Sequence, residues 1–349
     1  MGQFRTAIGA LAVISALSGG ACAAEADDEV ATGGGSGSGG PTSGYLAALT
    51  EQALDATYRY EVDVTIDTAA NGRSRTIAAD AAVSGEVDGE LSSMTVDPRD
   101  LVPEIAAAVP SGREIVMHTV SDGDHVYIAG SYFASLMDLA ASRDRSEIMA
   151  AALGSLADLE DDEWGRVDLA GLTMAEIAST TGAQAADPAL FLDIAARGTD
   201  VEDLGQEQVD GAETSRLSAT ATYEDMLLAQ GVEPDEFRAG LADAAAGSDA
   251  DIDEVYESTL STEIALKIWV DDSDRVRRVD MEIDMVPMIE ALGTGGDDTS
   301  LVIGMTMHVT DHDDASIAID IPDESVDVTD DFLAFSDETS GEGTLLAGS

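Results

Sequence analysis

The 349-residue chain carries 70 Asp and Glu against 16 Lys and Arg, a formal net charge of −54 at pH 7, with Lys267 its single lysine. Phosphate polyanions and anionic headgroups are held by Lys and Arg, so nucleic-acid binding and membrane attachment through a basic patch are both excluded. Hydrophobic residues make up 44% of the chain, enough apolar side chain to bury the core of one large β-rich domain.

Residues 1–22 read as a secretory leader ending in a cysteine. Arg5 supplies the positive start, Thr6 to Leu17 the apolar stretch, and Gly19-Gly20-Ala21 the small residues of a processing site. The apolar stretch is short for a bilayer span. Cys22 is the only cysteine, so no disulfide forms within the chain, and an exposed lone thiol is a liability unless chemistry consumes it. The run Leu17-Ser18-Gly19-Gly20-Ala21-Cys22 resembles a bacterial lipobox, in which diacylglyceryl is joined to the cysteine sulfur and cleavage leaves that cysteine as the mature N-terminus. Gly19 stands where such motifs usually carry leucine, and a plain secretory signal cut near Ala21 or Ala24 is the competing reading. Two acyl chains, at about 0.8 kcal/mol per buried CH₂, anchor a protein stably where one does not.

Residues 23–43 are mostly Ala, Gly, Ser, Asp and Glu, including Gly33-Gly34-Gly35-Ser36-Gly37-Ser38-Gly39-Gly40. Such a tether has a root-mean-square reach on the order of 25 Å. The domain is expected over 44–335, followed by a frayed polar tail over 336–349.

Within the domain, Tyr45 to Ala56 reads as a helix, and Tyr58, Tyr60, Val62, Val64 and Ile66 then alternate with polar residues as a half-buried strand does. Helical spacing returns over Arg99 to Ala108. Ser121-Asp122-Gly123-Asp124 joins Ile115–Val120 to Val126–Ala129 as a hairpin turn. Helices follow over Tyr132 to Ala140, Arg145 to Leu159, Pro188 to Arg197 and Tyr223 to Ala246; the third of these starts with an Asp187 cap and Pro188 at the first helical position. Period-two alternation resumes in Ile264, Leu266, Ile268 and Val270, in Val279, Met281, Ile283 and Met285, in Leu301, Ile303, Met305, Met307 and Val309, and in Ile317, Ile319 and Ile321. Asp271-Asp272-Ser273-Asp274 is the turn between the first two of these. Short turns make antiparallel neighbours, and a sheet with one wet face must bury the other. The expected fold is α+β: a single curved antiparallel sheet, a half-open barrel, with helices on its concave face.

The order of elements resembles the actinobacterial LppX/LprG-type lipoproteins and, more distantly, LolA and LolB. The residues that carry it are Asp122-Gly123-Asp124-His125-Val126-Tyr127-Ile128, Glu163-Trp164, Asp187-Pro188-Ala189-Leu190, and Gly205-Gln206-Glu207-Gln208-Val209-Asp210-Gly211. Ile268-Trp269-Val270-Asp271, Arg275-Val276-Arg277-Arg278-Val279 and Ile319-Asp320-Ile321-Pro322 complete the series. The resemblance implies an apolar cavity for acyl chains of lipid or lipoglycan, tethered to the outer face of a cell membrane, with a membrane transporter as a further partner.

The residues on the apolar strand faces become candidate lipid contacts under that resemblance: Val62, Val64, Ile66, Met117, Leu266, Ile268, Met281, Ile283, Met285, Ile303, Met305 and Met307. Methionine, as at these positions and at Met94, is flexible and polarizable, which suits a surface accepting variable chains; it equally fills irregular core gaps. Aromatic content of 4% argues against a sugar-stacking platform, and Trp164 and Trp269 read as core or rim residues. Asp249, Asp251 and Asp253 start like a calcium loop, but Glu254 replaces its turn glycine and Leu260 its bidentate glutamate. His308, Asp311 and His312 span a strand end and a turn instead of one helical face, a poor zinc pattern. No nucleophile elbow or phosphate loop is present outside the tether. The expectation is therefore a non-enzymatic lipid carrier without cofactor; the alternative is a structural or sensory surface lipoprotein with a solid core and a protein or cell-wall partner.

Overall fold

The computed structural model describes residues 42–54, 56–70, 73–97, 115–141, 146–170, 188–244, 251–291 and 299–334. The leader, Cys22, the tether up to residue 41, the expected helix over 99–108, Asp249 and the tail lie outside the described residues.

Among the described residues twelve strands form one sheet: β1 (Thr57–Ala70), β2 (Arg73–Asp88), β3 (Leu91–Val96), β4 (Met117–Ser121), β5 (His125–Ala129), β6 (Trp164–Asp168), β7 (Thr199–Val209), β8 (Ala212–Thr222), β9 (Glu263–Asp271), β10 (Val276–Asp284), β11 (Ser300–Thr310) and β12 (Val326–Asp327). Their order is β12-β6-β5-β4-β3-β2-β1-β11-β10-β9-β8-β7. The two ends, β12 and β7, do not pair, so the sheet stays open. Every pairing is antiparallel except the short β12–β6 contact, the one departure from the all-antiparallel expectation.

The helices are α1 (Thr42–Leu54), α2 (Gly130–Ala141), α3 (Ser146–Leu153) with a 3-10 turn after it (Gly154–Asp158), α4 (Pro188–Arg197), α5 (Tyr223–Ala229), α6 (Pro234–Ala244), α7 (Ile252–Leu260) and α8 (Val286–Ala291). The expected helix over 223–246 is two helices, because Gly231 takes a left-handed φ of 71° and Pro234 can open a helix but not continue one. Thr222 and Asp225 cap the start of α5 reciprocally, satisfying backbone donors that the first turn leaves free.

The expected strand over Ile317 to Ile321 is not a strand. Ile317 is buried, but its N–H is used in a turn to the Asp314 carbonyl, and β1 and β10 already occupy both edges of β11. The segment therefore has no free edge of β11, the strand just before it, to pair with.

Where β1 passes β2 the register shifts between Val62 and Val64. Ala81 sits in that bulge with φ of 48°, and its N–H donates to Asp63 Oδ1 at 2.7 Å. A bulge of this kind bends and twists the sheet locally, and the carboxylate compensates a conformation that L residues avoid.

One face of the sheet is apolar along cross-strand rows. Val62 stands opposite Val83 and Met307, Met307 opposite Val279, Val279 opposite Ile268, and Ile268 opposite Leu217. The next row runs Ala79, Val64, Met305, Met281, Leu266 and Ala219, and the next Ile77, Ile66, Ile303, Ile283, Ile264 and Ala221. Two groups of helices cover this face. Residues of α1, α4 and α5 join β1, β2 and β8–β11 in the main cluster; α2, α3, the 3-10 turn and residues 328–332 join β5 and β6 in a second.

Candidate functional site: the apolar face

Of the twelve candidate lipid contacts, eleven are brought together in the main cluster, each no more than 7% exposed. Met117, the first residue of β4, is half-buried and packs against both clusters, which places it at the seam between them. The side chains opposing the sheet are Leu46 and Leu49 of α1, Leu190, Phe191, Leu192, Ile194 and Ala195 of α4, and Met226 and Leu227 of α5. Among the described residues these side chains bury the eleven almost completely. The face that the sequence marks as a candidate lipid surface shares one buried cluster with side chains of these helices.

A small cleft does open at the edge of this packing, between the C-terminal half of α1 and the β9–β10 hairpin. It is lined by Leu49, Gln52, Ala53, Ala56, Tyr58, Pro188, Asp274, Arg275, Val276 and His312, and its volume of about 30 Å³ has room for a water or two. Two side chains tie α1 to the hairpin: Tyr45 Oη donates to Asp274 Oδ1 at 2.8 Å and Gln52 Nε2 to the Ser273 carbonyl at 3.4 Å. Burial, and then Asp274, push the Tyr45 phenol up to about 12, so it remains a donor at neutral pH.

The hairpin itself is held by Asp271. Its carboxylate accepts from the Ser273 and Arg275 N–H groups and pairs with Arg277 at 2.6 Å. Burial pushes this carboxyl up, but Arg277 and the two backbone donors outweigh it and the net shift is downward.

The opposite face is wet and charged. Glu61 stands opposite His308, His308 opposite Arg278, Arg278 opposite Trp269 and Trp269 opposite Arg216. Trp269 is buried although it lies on this side: the Arg278 guanidinium covers its ring at 4.9 Å and its Nε1–H donates to Glu207 Oε2 at 3.1 Å. Trp164 opens β6 at a half-buried position.

The metal-like patterns have structural roles. Asp251 caps α7, accepting from the N–H groups of Asp253 and Glu254, and Asp253 pairs with Arg238. His308 faces Asp63 at 3.7 Å on the wet side, whereas His312 Nε2 bonds the Val276 carbonyl at 2.9 Å beside the Tyr58 ring; the two histidines do not converge. Among the described residues no helix is long and apolar enough to cross a membrane.

No protein-family model matches this sequence, and no curated protein matches it either. Among solved structures the chain is similar to LprF from Mycobacterium bovis, at 10% identity over 82% of this chain and 99% of that one, with a TM-score of 0.35. It is likewise similar to the Mycobacterium tuberculosis lipoprotein LppX, at 10% identity over 79% and 98%, TM-score 0.36. A DUF1329 family protein from Desulfovibrio piger matches at 11% identity over 80% and 96%, TM-score 0.23.

Proposed function

We propose that this chain is an exported lipoprotein, anchored outside a cell membrane through acylated Cys22, that takes up acyl chains of lipid or lipoglycan against the apolar face of its sheet. The observation that supports the reading is the set of uninterrupted Met, Ile and Val rows across β1 and β9–β11, covered by separate short helices instead of a second sheet. Separate helices can part from a sheet without breaking its ladder.

Because helix side chains are packed with this face in one cluster, uptake on this reading is an exchange. Side chains of α4 and α1 leave the Met- and Ile-lined surface and a hydrocarbon chain takes their place, so the apolar face of the sheet stays covered through the step. About fifteen CH₂ groups at roughly 0.8 kcal/mol each carry on the order of 12 kcal/mol of transfer free energy. That is comparable to the whole stability of an ordinary domain, about 5–15 kcal/mol, so a lipid tail can in principle offset the undocking of two helices. The headgroup stays at the rim, and a membrane transporter is a fitting donor or acceptor. The proposal includes no cofactor and no chemical step.

The closeness of the packing favours a second reading, a surface lipoprotein with a solid core whose acidic outer face meets a protein or cell-wall partner. Native mass spectrometry of the chain purified from bacterial membranes separates the two. Retained lipid that exchanges with added lipid is the expected result; a lipid-free species that takes up none, and that co-purifies with a stoichiometric protein, overturns the carrier reading.

A further inference from the structure

The cleft under α1 contains one imidazole, the side-chain type that ordinarily titrates closest to neutral pH, and it lies where α1 meets the sheet. The helix is held from above by Leu46 and Leu49, both buried in the main cluster. From the side it is held by the Tyr45–Asp274 and Gln52–Ser273 hydrogen bonds. Beneath its C-terminal half, the His312 ring shares the cleft with Leu49, Ala53, Tyr58 and Val276.

The bond from His312 to the Val276 carbonyl fixes the tautomer, since a carbonyl only accepts: Nε2 carries the hydrogen and Nδ1 is the free base. A second proton would place a full positive charge in a mainly apolar cleft.

We propose that His312 is an acid-sensitive latch for α1: neutral, it lets the helix close over the end of the sheet, and protonated, it favours the undocked helix, which opens the cleft to water. The neighbours decide the sign. From the hairpin, Arg275 and Arg277 face the ring and oppose a further cation, although Arg275 is paired with Asp313 and Arg277 with Asp271. Asp271 and Asp274 on the same hairpin favour the cation, but Asp271 is engaged by Arg277 and two backbone donors, and Asp274 by Tyr45. From β1 the neighbour is the Tyr58 ring, and from α1 the cleft-lining residues Leu49, Gln52 and Ala53 carry no charge. Beside His312 in sequence, Asp311 is bound to Arg59. Burial holds the imidazole below its usual range; the bond to the Val276 carbonyl and Asp271 favour the cation, but burial together with Arg277 and Arg275 outweighs them. The closed form therefore binds fewer protons than the open one, and closure weakens as pH falls from about 6.5 through the lowered value of the docked state.

The test is a methyl- and histidine-resolved NMR titration of the full chain from pH 7.5 to 4.5. His118, His125 and His308, the other three histidines, lie on β4, β5 and β11 and serve as internal references. The expected result is that Leu46 and Leu49 methyl signals move or broaden with the midpoint of His312, below 6.5, and that His312→Gln abolishes this response. Leu46 and Leu49 signals that are invariant over the range, or that follow a different histidine, overturn the proposal, as does a His312 that does not titrate. The unsubstituted chain decides the matter even if His312→Gln fails to fold. Because the readout is helix docking and needs no lipid, its outcome is independent of the carrier reading.

Discussion

Asp271 ends β9 with its side chain only 4% exposed, and three of its contacts reach backward or forward along one hairpin. Removing the carboxylate leaves the Arg277 guanidinium and two N–H groups without their acceptor, and the larger cost is that orphaning, not the loss of one ion pair. Asp271→Ala is expected to lower stability by about 2–4 kcal/mol at pH 7, a little under the range for fully buried pairs because Arg277 keeps some contact with water; urea unfolding measures it. The pH dependence has a definite direction. A carboxyl held below its unfolded value contributes its full stabilisation above about pH 4 and loses it as pH falls through the folded value, so the gap between wild type and variant narrows in acid. The sequence Asp271-Asp272-Ser273-Asp274 already marks a turn, yet which of its acids is structural was not legible. That depends on Arg277 pointing back across the hairpin, a consequence of the register shift between Val276 and Arg278. Gly85 is a similar case: a Cβ there would run into the Ser93 carbonyl and the Tyr60 ring, a constraint that exists only once β1, β2 and β3 are paired.

At the scale of elements, legibility followed how strongly one physical signal dominated. Pro188–Arg197 carries a cap, a first-position proline and a helical apolar stripe, and α4 has those bounds. The four long alternating runs became β1, β9, β10 and β11 because each has one face in the core. By contrast, β7 is exposed on both faces as the sheet edge, and β2 is alanine-rich and bulged, so neither shows a clean period of two. The Ile317-Ile319-Ile321 alternation misleads for the converse reason: its neighbour in sequence, β11, is paired on both edges, and apolar spacing without a partner strand gives a turn and a loop. The element that most tests the filled-face geometry is α4. Phe191 is 1% exposed within the main cluster, and Phe191→Ala is expected to cost about 3–5 kcal/mol through lost transfer energy and the cavity left behind. A loss below 1 kcal/mol by chemical denaturation would mean that the helix settles into the gap, and so is only loosely docked.

At the scale of the molecule, eleven of the twelve candidate residues share the main buried cluster, because period two across paired strands puts alternate residues on one face. Whether that face is hollow or filled depends on helices that cross it from distant parts of the sequence, and no local pattern encodes that. The net charge of −54 bears on the proposed anchor, because it limits the ways in which such a chain could be held at a membrane. Anionic lipid repels it, so a peripheral attachment through charge would be lost in low salt and strengthened by screening, the reverse of the usual behaviour. A diacylated cysteine would hold irrespective of salt, since its contribution is hydrocarbon transfer at about 0.8 kcal/mol per CH₂ and two chains suffice. The proposed anchor at Cys22 therefore predicts that the wild-type chain sediments with membranes across low and high salt and at alkaline pH, and incorporates labelled palmitate. Cys22→Ser should lose both the label and the sedimentation while leaving the folded domain unchanged by circular dichroism. A Cys22→Ser chain that stays in the membrane pellet would instead place the attachment in an uncleaved leader, whose apolar run from Thr6 to Leu17 is the next most hydrophobic anchor before the tether.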